Sequence, residues 1–152
     1  MSIFTVTDAY EERKGSLIIK LGGLIPAKKM VGPDVDKGEL QRYLAAVVSC
    51  PPMLVNNDSL EWSAAGPSTL RVRDGEAAVD VDLDEKGRPL LCRAHRPRTM
   101  GKQSVETPWT GTPIEFREWD GLRVANVVEA AWHPPEGAFT YFRGEVTSFE
   151  VL

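Results

Sequence analysis

The sequence predicts an α+β domain in which a curved, half-barrel-like antiparallel sheet of about eight strands packs on one main α-helix. Two observations carry this. A single segment, Asp36 to Val48, has helical apolar spacing, while nearly everything else reads as short strands punctuated by Gly, Pro and Asp turns. A lone helix with one apolar stripe must also bury it, and only a sheet is available to receive it.

Within the helix Leu40, Tyr43, Leu44, Val47 and Val48 recur at i, i+3, i+4, i+7 and i+8, which places them on one face. Asp36 is positioned to cap the first turn, with Glu39 reaching back as in a capping box, and Pro51-Pro52 ends the helix. Before it, Ile3 to Glu11 and Leu17 to Leu21 read as a hairpin turning at Arg13-Lys14-Gly15-Ser16, and Gly22, Gly23 and Pro26 break the run. After it, Leu60 to Ala64 pairs with Thr69 to Arg73 through Gly66-Pro67-Ser68, and Asp74-Gly75 is a tight hairpin turn. Ala77, Val79, Val81 and Leu83 alternate with Ala78, Asp80, Asp82 and Asp84, the pattern of a strand with one face in the core and one in water. Pro89 to Ala94 is the next strand, and His95 to Trp109 reads as a long polar loop. Ile114, Phe116 and Glu118 share a strand face, and Asp120-Gly121 turns into Leu122 to His133. Ala138 to Val151 is the last strand.

At 152 residues the chain is expected to form one domain, 1–152, large enough to bury its own core. A net charge of −4 gives no global field for nucleic acid, so no nucleic-acid partner is expected. The N-terminus lacks a basic start and a long apolar run, and no stretch approaches a membrane span, which together predict a cytoplasmic protein. Cys50 and Cys92 have no metal-like spacing and read as small buried hydrophobes.

Asp80-x-Asp82-x-Asp84 invites a calcium loop, but the positions needing Gly and Glu are Glu85 and Leu91, so these acids read as a solvated strand face. From Lys86 to Lys102 there are six basic residues and no acid. This run, Lys86, Arg88, Arg93, Arg96, Arg98 and Lys102 with His95, either holds a phosphate or carboxylate or pairs with Asp80, Asp82, Glu115 or Glu118 on adjacent strands. Glu129 and Arg143 either pair across the last hairpin or, with Asn126, orient a ligand head group at the polar end of an apolar cavity. The aromatics Trp62, Trp109, Trp119, Trp132, Phe116, Phe139, Tyr141 and Phe142 are expected mostly in the core, with a hollow left between sheet and helix. No phosphate-binding, dinucleotide, nucleophile-elbow or zinc-protease motif is present, so the sequence implies no metal, cofactor or catalytic residue.

Gly32-Pro33-Asp34-Val35-Asp36-Lys37-Gly38-Glu39-Leu40-Gln41-Arg42-Tyr43-Leu44 resembles a segment of an uncharacterised, mainly bacterial family, domain-of-unknown-function family six-five-four-four. Arg96-Pro97-Arg98 with Gly101, Thr107-Pro108-Trp109-Thr110-Gly111, Glu129-Ala130-Ala131-Trp132 and Tyr141-Phe142-Arg143-Gly144 resemble further segments of it in the same order. The resemblance implies the fold and supplies no catalytic residues. It also implies a short form lacking the family's N-terminal strands, hence an exposed sheet edge and a homo-oligomer, most simply a dimer. In outline the half-barrel is similar to carriers that hold acyl chains, which is a likeness of fold alone.

Three functions follow as expectations. The first is a non-catalytic binding module for a small apolar or amphipathic molecule on the concave face, using Arg96, Arg98, Trp109, Asn126, Glu129, Tyr141 and Arg143. The second is a homodimeric structural or interaction protein, and the third an enzyme acting through Glu129, His95 or Arg143.

Overall fold

The computed structural model describes residues 4–22, 25–101 and 103–150; the expected strand start at Ile3, the break at Gly23, the last cation of the basic run, Lys102, and Val151 fall outside them, and the last strand, expected to run to Val151, already ends at Glu145. The chain runs β1 (Phe4–Glu11), β2 (Lys14–Leu21), β3 (Ile25–Met30), α1 (Pro33–Ala45) with a 3₁₀ turn at Ala46–Val48, then the short α2 (Pro52–Val55). It continues through β4 (Glu61–Gly66), β5 (Thr69–Asp74), β6 (Ala77–Leu83), β7 (Pro89–Met100), β8 (Gln103–Trp119), β9 (Leu122–Trp132) and β10 (Phe139–Glu145). The fold is α+β, with antiparallel strands, one main helix and no closed barrel. The strands form two sheets, β1-β2-β3 and β10-β9-β8-β7-β6-β5-β4. No helix among the described residues is long and apolar enough to cross a membrane.

Helix α1 lies between these sheets, packing on β1 and β2 on one flank and on β5, β6 and β7 on another. Of the predicted stripe, Leu40, Leu44, Val47 and Val48 are buried with Val72, Val79, Val81, Cys92 and Trp109 in one cluster, and Tyr43 packs half-buried against it. The helix begins earlier than its sequence suggests. Pro33 occupies the first turn, where its fixed φ is suitable and its missing N–H costs nothing, so Gly32 is the cap position. Asp36 is therefore inside the helix, where its Oδ1 accepts the Gly15 backbone N–H at 2.7 Å and its Oδ2 lies 3.5 Å from Lys14. Glu39 is buried on the helix flank and pairs with Arg42 at 3.3 Å instead of reaching back to a cap. At this seam the β2 backbone touches the helix directly: a Cβ on Gly15 would stand 2.6 Å from the Val35 carbonyl oxygen.

Four further expectations are corrected. The first hairpin turns at Glu12 and Arg13, both with positive φ, because the register Glu11↔Lys14 leaves a two-residue loop whose twist demands that conformation. Ile25–Met30 is a strand despite Pro26, which is accommodated next to a bulge on the sheet edge. His95 to Trp109 is no loop: β7 and β8 pair without interruption from Cys92↔Gly111 to Met100↔Gln103. Of the eight aromatics only Trp109 is buried, while Trp62, Phe139, Tyr141 and Phe142 are exposed, because β4 and β10 are edge strands; the core is built from smaller aliphatic side chains.

The acids of β6 are not merely solvated. Asp80 takes a forked pair from Arg71 at 2.6 and 2.9 Å, and Asp82 accepts Arg93 at 2.6 Å and the Thr69 hydroxyl at 2.9 Å. In the following turn Asp84 accepts the backbone N–H groups of Lys86 and Arg88 and the Arg88 guanidinium. The Arg88 backbone N–H, followed by its guanidinium, pulls the Asp84 carboxyl down to about 2.

Strands β6 and β7 pair only from Leu83↔Pro89 to Asp80↔Arg93 and then part. Gln41 of α1 fills the fork. Its Nε2 donates to the Ala78 carbonyl of β6 at 3.4 Å and the His95 carbonyl of β7 at 2.9 Å, satisfying backbone groups that have lost their ladder partners.

Two stability outcomes follow. Gly15→Ala is expected to destabilise the protein by about 1–3 kcal/mol, because the added methyl meets backbone that cannot step aside. Glu12→Asn is expected to stabilise it by roughly 0.5–1 kcal/mol, since Asn tolerates positive φ better than Glu. Urea denaturation with fluorescence detection measures both, and each should move the midpoint without changing the slope.

Candidate functional site

The extension of β7 beyond the fork is what builds the site. Arg96 lies on this stretch opposite Thr107 of β8, and only 4% of its surface is exposed. Its guanidinium lies 4.7 Å from the Trp109 ring centre and 5.8 Å from that of Trp132, a register pair on β8 and β9. Its Nη2 donates to the Gly38 carbonyl of α1 at 2.6 Å. Burial of this cation is thus offset by two π faces, one strong hydrogen bond and the nearby Glu39.

Glu39 and Arg42 stand one turn apart on the same flank of α1. Burial pushes the Glu39 carboxyl up, and the Arg96 charge pulls partly against it. The Arg42 guanidinium is pushed down by burial and further by the like charge of Arg96.

These groups form one end of a cleft of about 370 Å³ between α1, the three-stranded sheet and the extended hairpin. Leu17, Met30 and Val35 supply an apolar wall, and Trp132, Phe139 and Tyr141 an aromatic one. Tyr141 is the extra residue of a bulge in β10. It stacks on Trp132 at 5.6 Å, and its hydroxyl accepts the Trp109 indole N–H at 3.1 Å. Arg98 lies over the Phe139 ring at 5.1 Å. Its Nη1 is buried without a hydrogen bond, since its ion-pair partner Glu136 is 3.6 Å away, beyond hydrogen-bonding reach. Arg96 Nε is likewise buried without a hydrogen-bond partner.

Of the residues singled out from sequence, Arg96, Arg98 and Tyr141 line this cleft, and Trp109 supports it from behind. The other three lie elsewhere. Glu129 and Arg143 are register partners on β9 and β10 and form an ion pair across that hairpin. Asn126 is buried on β9, where its backbone carbonyl accepts the Val146 N–H and its Oδ1 has no hydrogen-bond partner. His95 and His133 line a second, larger cleft of about 630 Å³ beside the fork, where His133 Nε2 is 2.9 Å from the Thr110 hydroxyl. Among the described residues no group of three His, Cys, Asp or Glu side chains converges to hold a metal ion.

Sequence reasoning missed Glu39, Arg42, Trp132 and Phe139 as parts of the site. The i, i+3 spacing of Glu39 and Arg42 off the apolar stripe was a usable signal. The Trp109↔Trp132 pairing was not, because it requires the β8–β9 register.

A protein-family model described as a family of unknown function, DUF6544, matches residues 1–144. The chain belongs to this family. No curated protein and no solved structure matches it. In this DUF6544 chain the segment Gly32 to Leu44 is α1 with its cap, and Arg96–Arg98, Thr107–Gly111 and Trp132 lie on the three strands around the Arg96 guanidinium.

Cys92 closes the core beneath Trp109, with its Sγ 3.4 Å from the Gly111 carbonyl oxygen. Burial is the main cause that pushes its thiol up to about 12. A raised thiol pKa stabilises the fold fully below the ordinary thiol range, and this contribution is lost as pH rises through that range towards 12. In a Cys50→Ala background Cys92 should therefore resist aromatic disulfide reagents at pH 8 until urea unfolds the chain. Stability should fall between pH 9 and 11 more steeply than in the Cys50→Ala/Cys92→Ala double variant.

Proposed function

We propose that this chain is a non-catalytic binding module for a small amphipathic anion, seated in the cleft between α1, the three-stranded sheet and the β7–β8 extension. The observation that carries this reading is the gathering of Arg42, Arg96 and Arg98 in a cleft that Leu17, Met30, Val35, Trp132, Phe139 and Tyr141 also line, with the carboxylates of Asp34 and Glu39 beside them. Guanidinium groups offer planar forks to carboxylate, sulfate or phosphate, and Arg98 carries a buried N–H with no acceptor of its own. The apolar walls accommodate a hydrocarbon tail or an aryl group. The volume lies toward the small end of the roughly 300–1,000 Å³ usual for ligand sites, which favours a compact ligand over a full phospholipid. The acids in and beside the cleft, Glu39, Asp34 and Glu136, offset part of the three arginine charges, which favours a singly charged head over a dianion.

Decanoate is the probe for isothermal titration calorimetry. Saturable one-to-one binding is expected, weakened about tenfold or more in Arg98→Gln, with a thermal melt matching the wild type showing that the fold is intact. Absence of saturable heat with both decanoate and decyl sulfate, or equal affinity in the variant, would overturn the proposal.

A further inference from the structure

We infer that the part of the three-stranded sheet carrying Val6, Leu21 and Ile25, with Lys20, Lys28 and Lys29, is a docking surface for an anionic lipid surface. From Arg13 to Gly32 the chain carries five basic residues and no acid, in a protein whose net charge is −4. Two of the five are already engaged, Arg13 with Asp74 and Lys14 with Asp36, both at the end of the sheet where β1 turns into β2. Lys20, Lys28 and Lys29 lie toward the other end and make no ion pair among the described residues. Of the acids of this sheet, Asp8 stands mid-strand opposite Leu17, and Glu11 and Glu12 stand at the far, β1–β2 end.

The same end is apolar. In the register of this sheet Val6 opposes Ile19, and Leu21 opposes Ile25. All four lie on the face that, nearer the helix, presents Gly15 to α1 and Leu17 and Met30 to the cleft. The apolar stripe therefore runs on past the helix that should cover it. Val6 is 55% exposed, Leu21 43% and Ile25 64%. Lys28 stands on this face opposite Ile19, while Lys20 and Lys29 project from the reverse side.

Aliphatic side chains at a hairpin end, bracketed on both faces by lysines, match the boundary of an anionic bilayer. The apolar groups enter the acyl region and the lysine stems extend back so that their ammonium groups reach lipid phosphates. Nucleic acid would leave Leu21 and Ile25 without a partner, and a second copy packed through the same apolar face would bring Lys28 against its own kind and give Lys20 and Lys29 no counter-charge.

The full chain is mixed with extruded phosphatidylglycerol–phosphatidylcholine vesicles and with pure phosphatidylcholine vesicles, then sedimented. Binding to the anionic vesicles alone is expected. It should fall roughly fivefold for each of Lys20→Gln, Lys28→Gln and Lys29→Gln, and weaken in high salt. Leu21→Asn/Ile25→Asn should reduce it at least tenfold while the thermal melt and circular dichroism match the wild type. The lysine variants, being surface changes, carry the test if that pair proves unstable. No sedimentation with anionic vesicles would overturn the inference, as would binding insensitive to both sets of variants. A dimer that Leu21→Asn/Ile25→Asn converts to monomer, with no lipid bound by the wild type, would assign the surface to a second copy instead.

Discussion

The structure depends on one helix buried from two sides. An amphipathic helix normally hides one stripe and shows water the rest, whereas α1 has Leu40 and Leu44 in the main core and its first turns against the backbone of β2. The second contact is possible only because Gly15 has no side chain, and it is fixed by a carboxylate of the helix accepting a strand N–H. With both flanks engaged, the polar residues between them have nowhere to go but into the protein. Glu39 and Gln41 are both under a tenth exposed, and each has found a role there.

Those roles explain why a site exists beside the helix. Gln41 spans the parted strands β6 and β7, and the parting frees β7 to continue with β8 as a separate hairpin. The hairpin carries Arg96 back over α1 to bond Gly38, and the two tryptophans close over the guanidinium. Gly111 belongs to the same arrangement, since a Cβ there would stand 2.8 Å from the Trp109 ring and 2.9 Å from Cys92 Sγ. The cleft is thus the space left between a helix held in place and a hairpin obliged to reach across it.

Much of this fold was legible in the residues. The apolar stripe of α1 and the alternation Ala77, Val79, Val81 point to their partners by periodicity alone, and both are in the core. What periodicity missed was set by register or by tertiary contact. His95 to Trp109 lacks alternation because a buried position is taken by a charged residue, Arg96, covered by π faces, which does not signal its face by hydrophobicity. Asp36 looks like a cap until the fold places a strand N–H beside it. Of the candidate residues, Arg96, Arg98, Tyr141 and Trp109 came together because the long hairpin and the β10 bulge aim them at one place. Glu129 and Arg143 form the cross-strand pair that their hairpin register allows.

The parted strands also make the seven-stranded sheet two leaves joined by a narrow seam. One leaf is β4 to β6, the other β7 to β10, and between them run four register pairs, Asp80↔Arg93 to Leu83↔Pro89. Above the seam Gln41 of the helix hydrogen-bonds to both leaves. A fluctuation that lifts α1 would withdraw that latch and expose the inner edges of both leaves at once. The helix that ties the two sheets together thus also governs whether the larger sheet behaves as one cooperative unit or as two.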